Sequence, residues 1–201
     1  MLLSSVEWYD TSENRWTILE KGLYCGRMGM GVTSFQNNLW VVGGIVQITG
    51  LQTCSTAYVE IYSPATNQWT YAASYLPSPR TCVSLLNVND TNLYCFGGIF
   101  YNCAGAGRKL LTIDDILSYT EGKKAWKQVA SMPAPRHNAH ILQYREEMFL
   151  VGGQDVERPD HPVTSVSLMG VSNNIFEWKP LKDVPVPISA YGAVIVPSLE
   201  G

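Results

Sequence analysis

The chain has 201 residues, 46% apolar and 15% charged, with 14 basic against 17 acidic side chains and a formal net charge of -3. This balance excludes a disordered chain, and it excludes a nucleic-acid binder because no basic surplus exists to neutralise phosphates. Met1-Leu2-Leu3 has no basic lead and meets Glu7 and Asp10 early, and no apolar run has membrane-spanning length. The five cysteines, Cys25, Cys54, Cys82, Cys95 and Cys103, form no C-x-x-C pair, so a reduced, cytoplasmic protein without membrane contact is expected.

In chain order, the segments between turn signals are short, apolar and rich in β-branched and aromatic residues, which predicts strands. Residues 1–20 supply two strands, carrying Tyr9 and Trp16. A first complete unit, 26–76, opens at Arg27, ends an apolar run at Gly43-Gly44 and continues to Tyr62 and Trp69. The second, 79–133, repeats this with Arg80, Gly97-Gly98, Tyr119 and Trp126. In this unit strand a is expected over 81–86, a turn over 87–92 and strand b over 93–96. A long loop then passes Cys103, Gly105 and Gly107 before strand c over 113–119 and strand d over 125–129, with a helix over 108–119 as the rival reading. The third unit, 135–184, has Arg136, Gly152-Gly153 and Trp178, with Val171 where the tyrosine spacing falls. Residues 188–201 begin a further unit, Ile188 standing in the arginine's place and a strand expected over 191–196.

The double glycines lie 54 and 55 residues apart, the tryptophans 53, 57 and 52, and the arginines 53 and 56. Four antiparallel strands per unit, repeated radially, describe an all-β propeller with three complete four-stranded blades and partial blades at both ends. The double-glycine runs are apolar at consecutive positions, so their strands should be buried on both faces. Glycine there allows positive φ and a close neighbouring chain, while the tyrosine and tryptophan, seven apart, should fill the gap between blades. These landmarks therefore have structural work.

An arginine-led strand, a double glycine and then tyrosine and tryptophan resemble the kelch repeat. The wording of Val59-Glu60-Ile61-Tyr62, Asn67-Gln68-Trp69 and Leu76-Pro77-Ser78-Pro79-Arg80 is similar to the kelch-like (BTB-kelch) proteins, substrate adaptors of cullin-3 ubiquitin ligases. The resemblance implies a non-catalytic module that binds a protein or peptide, with an actin-associated cytoskeletal kelch protein as the alternative and a propeller enzyme behind both. It implies no cofactor, and cullin-3 recruitment only through domains outside these residues. Since propellers of that family close with about six blades, within the usual range of propellers, the expectation is a fragment of a longer adaptor. A four-bladed closure is the other option.

By the same resemblance, partner contacts come from residues just after each arginine and each double glycine. The first set is Met28 with Gly29, Thr81 with Cys82, His137 with Asn138, and Ser189 with Ala190. The second is Ile45, then Ile99, Phe100 and Tyr101, then Gln154, Asp155 and Arg158. Catalytic and metal constellations are not expected. His137 and His140 fall on one expected strand at odd spacing and should face apart, with His161 elsewhere, so no joint metal site forms. Asp114-Asp115 and Glu146-Glu147 read as solvated pairs, the G-x-G at Gly105 precedes no helix, and the Asn89-Asp90-Thr91 sequon reads as a hairpin turn. Cys103 has no basic neighbour closer than Arg108 and reads as inert.

Overall fold

Each apolar run that ends in a double glycine becomes the second strand of a four-stranded antiparallel sheet. The computed structural model describes residues 2–50, 52–102, 109–120, 122–145, 147–158, 163–172, 175–190 and 192–193. Strands β1 (Glu7–Asp10) and β2 (Arg15–Ile18) form a hairpin, followed by the short β3 (Arg27–Met28). The first full blade comprises β4 (Gly31–Phe35) and β5 (Asn38–Val42), then, after a second hairpin of β6 (Ile45–Thr49) and β7 (Gln52–Ser55), β8 (Val59–Ser63) and β9 (Gln68–Tyr71). The next repeats this plan with β10 (Ser84–Val88), β11 (Asn92–Phe96), the hairpin β12 (Ile99–Asn102) and β13 (Lys109–Thr112), β14 (Asp115–Thr120) and β15 (Ala125–Ser131). The last is β16 (His140–Tyr144), β17 (Glu147–Val151), β18 (Val166–Ser172) and β19 (Ile175–Pro180).

The core lies between blades, which is why the double-glycine strands are apolar on both faces. Trp40 and Val42 of β5 pack with Leu93, Cys95, Leu117, Tyr119 and Trp126 of the next blade. Val41, on the opposite face of the same strand, packs with Leu23 and Trp69. Phe96 and Ile116 meet Ile141, Leu150 and Met169 across the following gap. Each such Leu, Ile or Val is worth about 1.5–3 kcal/mol on full burial. Tyrosine and tryptophan face each other across strands at Tyr9–Trp16, Tyr62–Trp69 and Tyr119–Trp126. Trp69 and Trp178 reach into the preceding unit, donating from Nε1 to the carbonyls of Lys21 and Ser131 at 3.0 Å.

The double glycines behave as the repeat demanded. Gly97 and Gly98 have φ of 54° and 101°, and a Cβ at Gly97 would sit 2.4 Å from the Arg136 carbonyl oxygen. The second glycine's N–H donates to the next unit at Gly44–Arg80, Gly98–Arg136 and Gly153–Ile188, the N···O distances being 2.9, 3.1 and 2.9 Å. Ile188 thus keeps the arginine's main-chain role although its side chain cannot supply the rest.

The strand expected over 113–119 is β14, Asp115–Thr120, and the rival helix does not form. Several other sequence expectations need correction. The expected loop through Cys103 opens as the hairpin β12–β13; Cys103, Gly105 and Gly107 lie outside the described residues. Strand a begins at Ser84 rather than Thr81, because Thr81 is already bridged to Ile99. Trp178 faces Met169, not Val171: Ser172 pairs with Ile175, so this hairpin turns later and moves the tyrosine's place two residues back. Met169 is fully buried there. Asp115 is no solvated neighbour of Asp114, because its carboxylate accepts from buried Arg80. His137 bridges Gln154 and only His140 is on β16, so the two do not share a strand. His161, Glu146 and nearly all of the strand expected over 191–196 lie outside the described residues. Asn89 and Asp90 do form the β10–β11 turn, both with positive φ.

Candidate partner-binding face

The arginines organise one end of each blade. Arg27, Arg80 and Arg136 are buried, and each donates from Nη1 to the carbonyl of its own unit's first glycine, Gly43, Gly97 or Gly152. Arg27 also pairs with Glu60, both side chains being fully buried, while Arg80 takes the Asp115 carboxylate with two nitrogens. Arg136 finds the Ser165 hydroxyl at 3.3 Å. A guanidinium suits this place because its fixed fork of donors serves a carbonyl and a carboxylate at once. The turn after strand b is thereby tied to the start of strand c.

That tie brings together the two sets of residues the sequence singled out. Met28 pairs with Ile45, Thr81 with Ile99 and His137 with Gln154, each post-arginine residue lying beside a post-glycine one. Met28 and Arg158 are exposed, and Ile45, Ile99, Phe100, Tyr101, Asn138, Gln154, Asp155 and Ser189 are half-buried. Thr81 and His137 are buried instead of displayed. The Thr81 hydroxyl donates to the Gly29 carbonyl at 2.9 Å, a contact spent inside the fold. Burial pushes the His137 imidazole below its ordinary value, Asp155 opposing, and Asn138 Nδ2 lies 3.1 Å from His137 Nδ1.

The hairpins after the double glycines also dock on one another. The Ser55 hydroxyl accepts from Tyr101 N at 3.0 Å and donates to Tyr101 O at 3.1 Å, fastening β12 to β7. One blade further on, Val156 N donates to the Thr112 hydroxyl at 2.8 Å. On β12–β13, Phe100 faces Leu111 and Tyr101 faces Leu110, and both leucines are exposed. Adjacent hairpins thus form one supported wall carrying aromatic and aliphatic groups, the composition that anchors protein contacts.

Two features escaped sequence reading. Cys82 N donates to Gly29 O at 2.7 Å, Asn138 N to Cys82 O at 3.1 Å and Ala190 N to Asn138 O at 3.4 Å, a belt linking successive blades. All four belt residues have left-handed φ, of 63°, 56°, 51° and 54°. Gly29 and Asn138 are residue types that favour this conformation, whereas Cys82 and Ala190 are not. Outside the rim sets, Tyr24, which precedes the first complete unit, gathers with Tyr58, Tyr71 and Tyr75 of that unit, and no repeat landmark pointed to them. Cys95 is fully buried and its thiol is pushed up to about 12 by that burial, which keeps it unreactive.

The kelch motif family matches residues 26–74, the first complete blade. Alpha-scruin of Limulus polyphemus is 27% identical over 199 residues, covering 98% of this chain and 21% of that protein. Kelch-like protein 40 of Mus musculus is 31% identical over 138 residues, 68% of this chain and 21% of its own length. The chain therefore spans about a fifth of these relatives. A solved structure titled "Structure of YjhT" superposes with a TM-score of 0.77 at 20% identity, covering 94% of this chain and 62% of that one, a likeness of fold. With the motif matched on one blade and its arginine, double glycine and aromatic landmarks carried through the others, this chain is a kelch-repeat β-propeller region.

Proposed function

We propose that this chain is a non-catalytic recognition module that binds a protein partner through the hairpin-bearing face, as the substrate-recognition propeller of a cytoplasmic cullin-3 ubiquitin ligase adaptor. The observation that carries the reading is the docked hairpin wall, where Ser55 fixes Tyr101 and the exposed Leu110 faces it across the hairpin. A contact surface already held in place loses little entropy on binding, so its aromatic groups can act as anchors. The polar Gln154, Asp155 and Arg158 on the next blade supply orientation beside that apolar patch.

The test is affinity purification of the full-length protein from cells, with partners identified by mass spectrometry. Tyr101→Ala and Arg158→Ala should each weaken capture of the main partner by about 1 kcal/mol or more where the residue is an anchor, with unchanged thermal unfolding. Recovery of actin filaments in place of a ligase substrate would favour the cytoskeletal reading. Undiminished capture by both variants would move contact to the opposite face.

A further inference from the structure

We propose that the cleft between the second and third complete blades is a binding site for a small aromatic carboxylate. The cleft has a volume of about 510 Å³, within the roughly 300–1,000 Å³ of small-molecule sites. Tyr94 of β11, Ser118 of β14 and Lys127 of β15 line it from one blade, and Phe176 of β19 from the other.

The cleft exists because this gap between blades is filled less fully than its sibling. Three residues before the double glycine, the first complete blade has Trp40 and the second has Tyr94. On the neighbouring strand Trp40 faces Ile61, whereas Tyr94 faces Ser118. Across the first gap the Trp40 ring packs on Tyr119 with centroids 4.9 Å apart, and the place of Tyr119 beside its tryptophan is taken in the third blade by Met169. Tryptophan, isoleucine and tyrosine thus give way to tyrosine, serine and methionine, each a smaller side chain. Space that the first gap fills with its own indole is open to an outside ring in the second. The walls suit one: Tyr94 and Phe176 meet edge-on, centroids 5.9 Å apart and planes at 77°, and both are half-buried. A flat ring laid against them exchanges water for aromatic contact on a surface that is already formed.

The polar groups set the ligand's charge. Lys123 and Lys127 line the cleft, are exposed, and stand where the first complete blade has Thr66 and Thr70. Neither makes an ion pair among the described residues, and no described carboxylate lines the cleft. Burial raises the Tyr94 phenol above its ordinary value, a hydrogen bond from Ser118 opposing, so it stays neutral and adds no negative charge. Asn92 and Thr120, paired in register, bring an amide and a hydroxyl to the same cleft. Two ammonium groups beside an aromatic wall, with neutral donors between, match a carboxylate on a short arm from a ring. None of the hairpin wall's residues lines the cleft, so this site and the proposed function can fail separately.

Saturation-transfer NMR on the full chain tests the site by titrating indole-3-acetate beside its uncharged and cationic counterparts, tryptophol and tryptamine. Saturable binding of indole-3-acetate is expected, with tryptophol at least tenfold weaker and tryptamine weaker still. Lys123→Met with Lys127→Met, at exposed positions that leave the fold intact, should lower indole-3-acetate affinity at least tenfold and leave tryptophol unchanged. Tyr101→Ala should bind as the parent does. Tyr94→Trp with Ser118→Ile, which restores the filling of the first gap, should abolish binding of all three in natively folded protein. Equal binding of tryptamine, no saturation by indole-3-acetate at millimolar concentration, or full affinity in the lysine variant would overturn the site.

Discussion

At the scale of single residues, the same amino acid has opposite weight in different blades. Trp69 is 3% exposed and hydrogen-bonded to the preceding unit, while Trp16, in the equivalent place, is 65% exposed. Trp69→Ala should therefore cost about 3–5 kcal/mol, and Trp16→Ala about 0.5 kcal/mol or less, as measured by urea unfolding. His137 gives a pH dependence. Its folded-state value is depressed by burial, so the unfolded chain binds the extra proton, and stability falls as pH drops below the ordinary histidine value of about 6.5. Protonation would also turn Nδ1 into a donor facing the Asn138 amide nitrogen. Melting temperature should thus decline from pH 7 to pH 5 more steeply in the parent than in His137→Gln; equal slopes would assign the decline to other groups.

At the scale of elements, the wall of hairpins depends on one hydroxyl. Ser55→Ala removes both bonds to the Tyr101 main chain and should cost about 1–3 kcal/mol. Hydrogen exchange should accelerate at Tyr101 while β10 and β11 keep their protection. The strands themselves were legible because burial between blades demands apolar residues at every position of Leu93–Phe96, a pattern that a single sequence displays. The rim was half legible. Spacing after the arginine and the double glycine placed Met28 beside Ile45 and Thr81 beside Ile99, yet it could not reveal that Thr81 and His137 turn inward, since that depends on main-chain bridges. Met169 was hidden by a hairpin that turns later than its siblings, which breaks the count of seven without breaking the cross-strand pair. The tyrosine row spans two units at unrelated offsets, and periodicity is blind to it.

At the scale of the whole molecule, the amino-terminal hairpin presents Trp8, Trp16 and Ile18 at 48%, 65% and 67% exposure, whereas Trp69 and Trp126, the counterparts of Trp16, are covered. A surface of this kind seeks cover, so the 201-residue protein should elute well above monomer mass at tens of micromolar in light scattering. Trp16→Glu with Ile18→Lys should restore a monomer; a monodisperse parent would show that the face is satisfied within the chain. The belt through Gly29, Cys82, Asn138 and Ala190 has a different consequence. Every link is the same kind of main-chain bond, made to the unit before and offered to the unit after, and it asks nothing of the side chain. Excising Cys82 through His137 would set Asn138 against Gly29 in an equivalent bond, so a gene encoding such units can gain or lose one whole blade by recombination between repeats. Blade number in this architecture is thus open to evolutionary change.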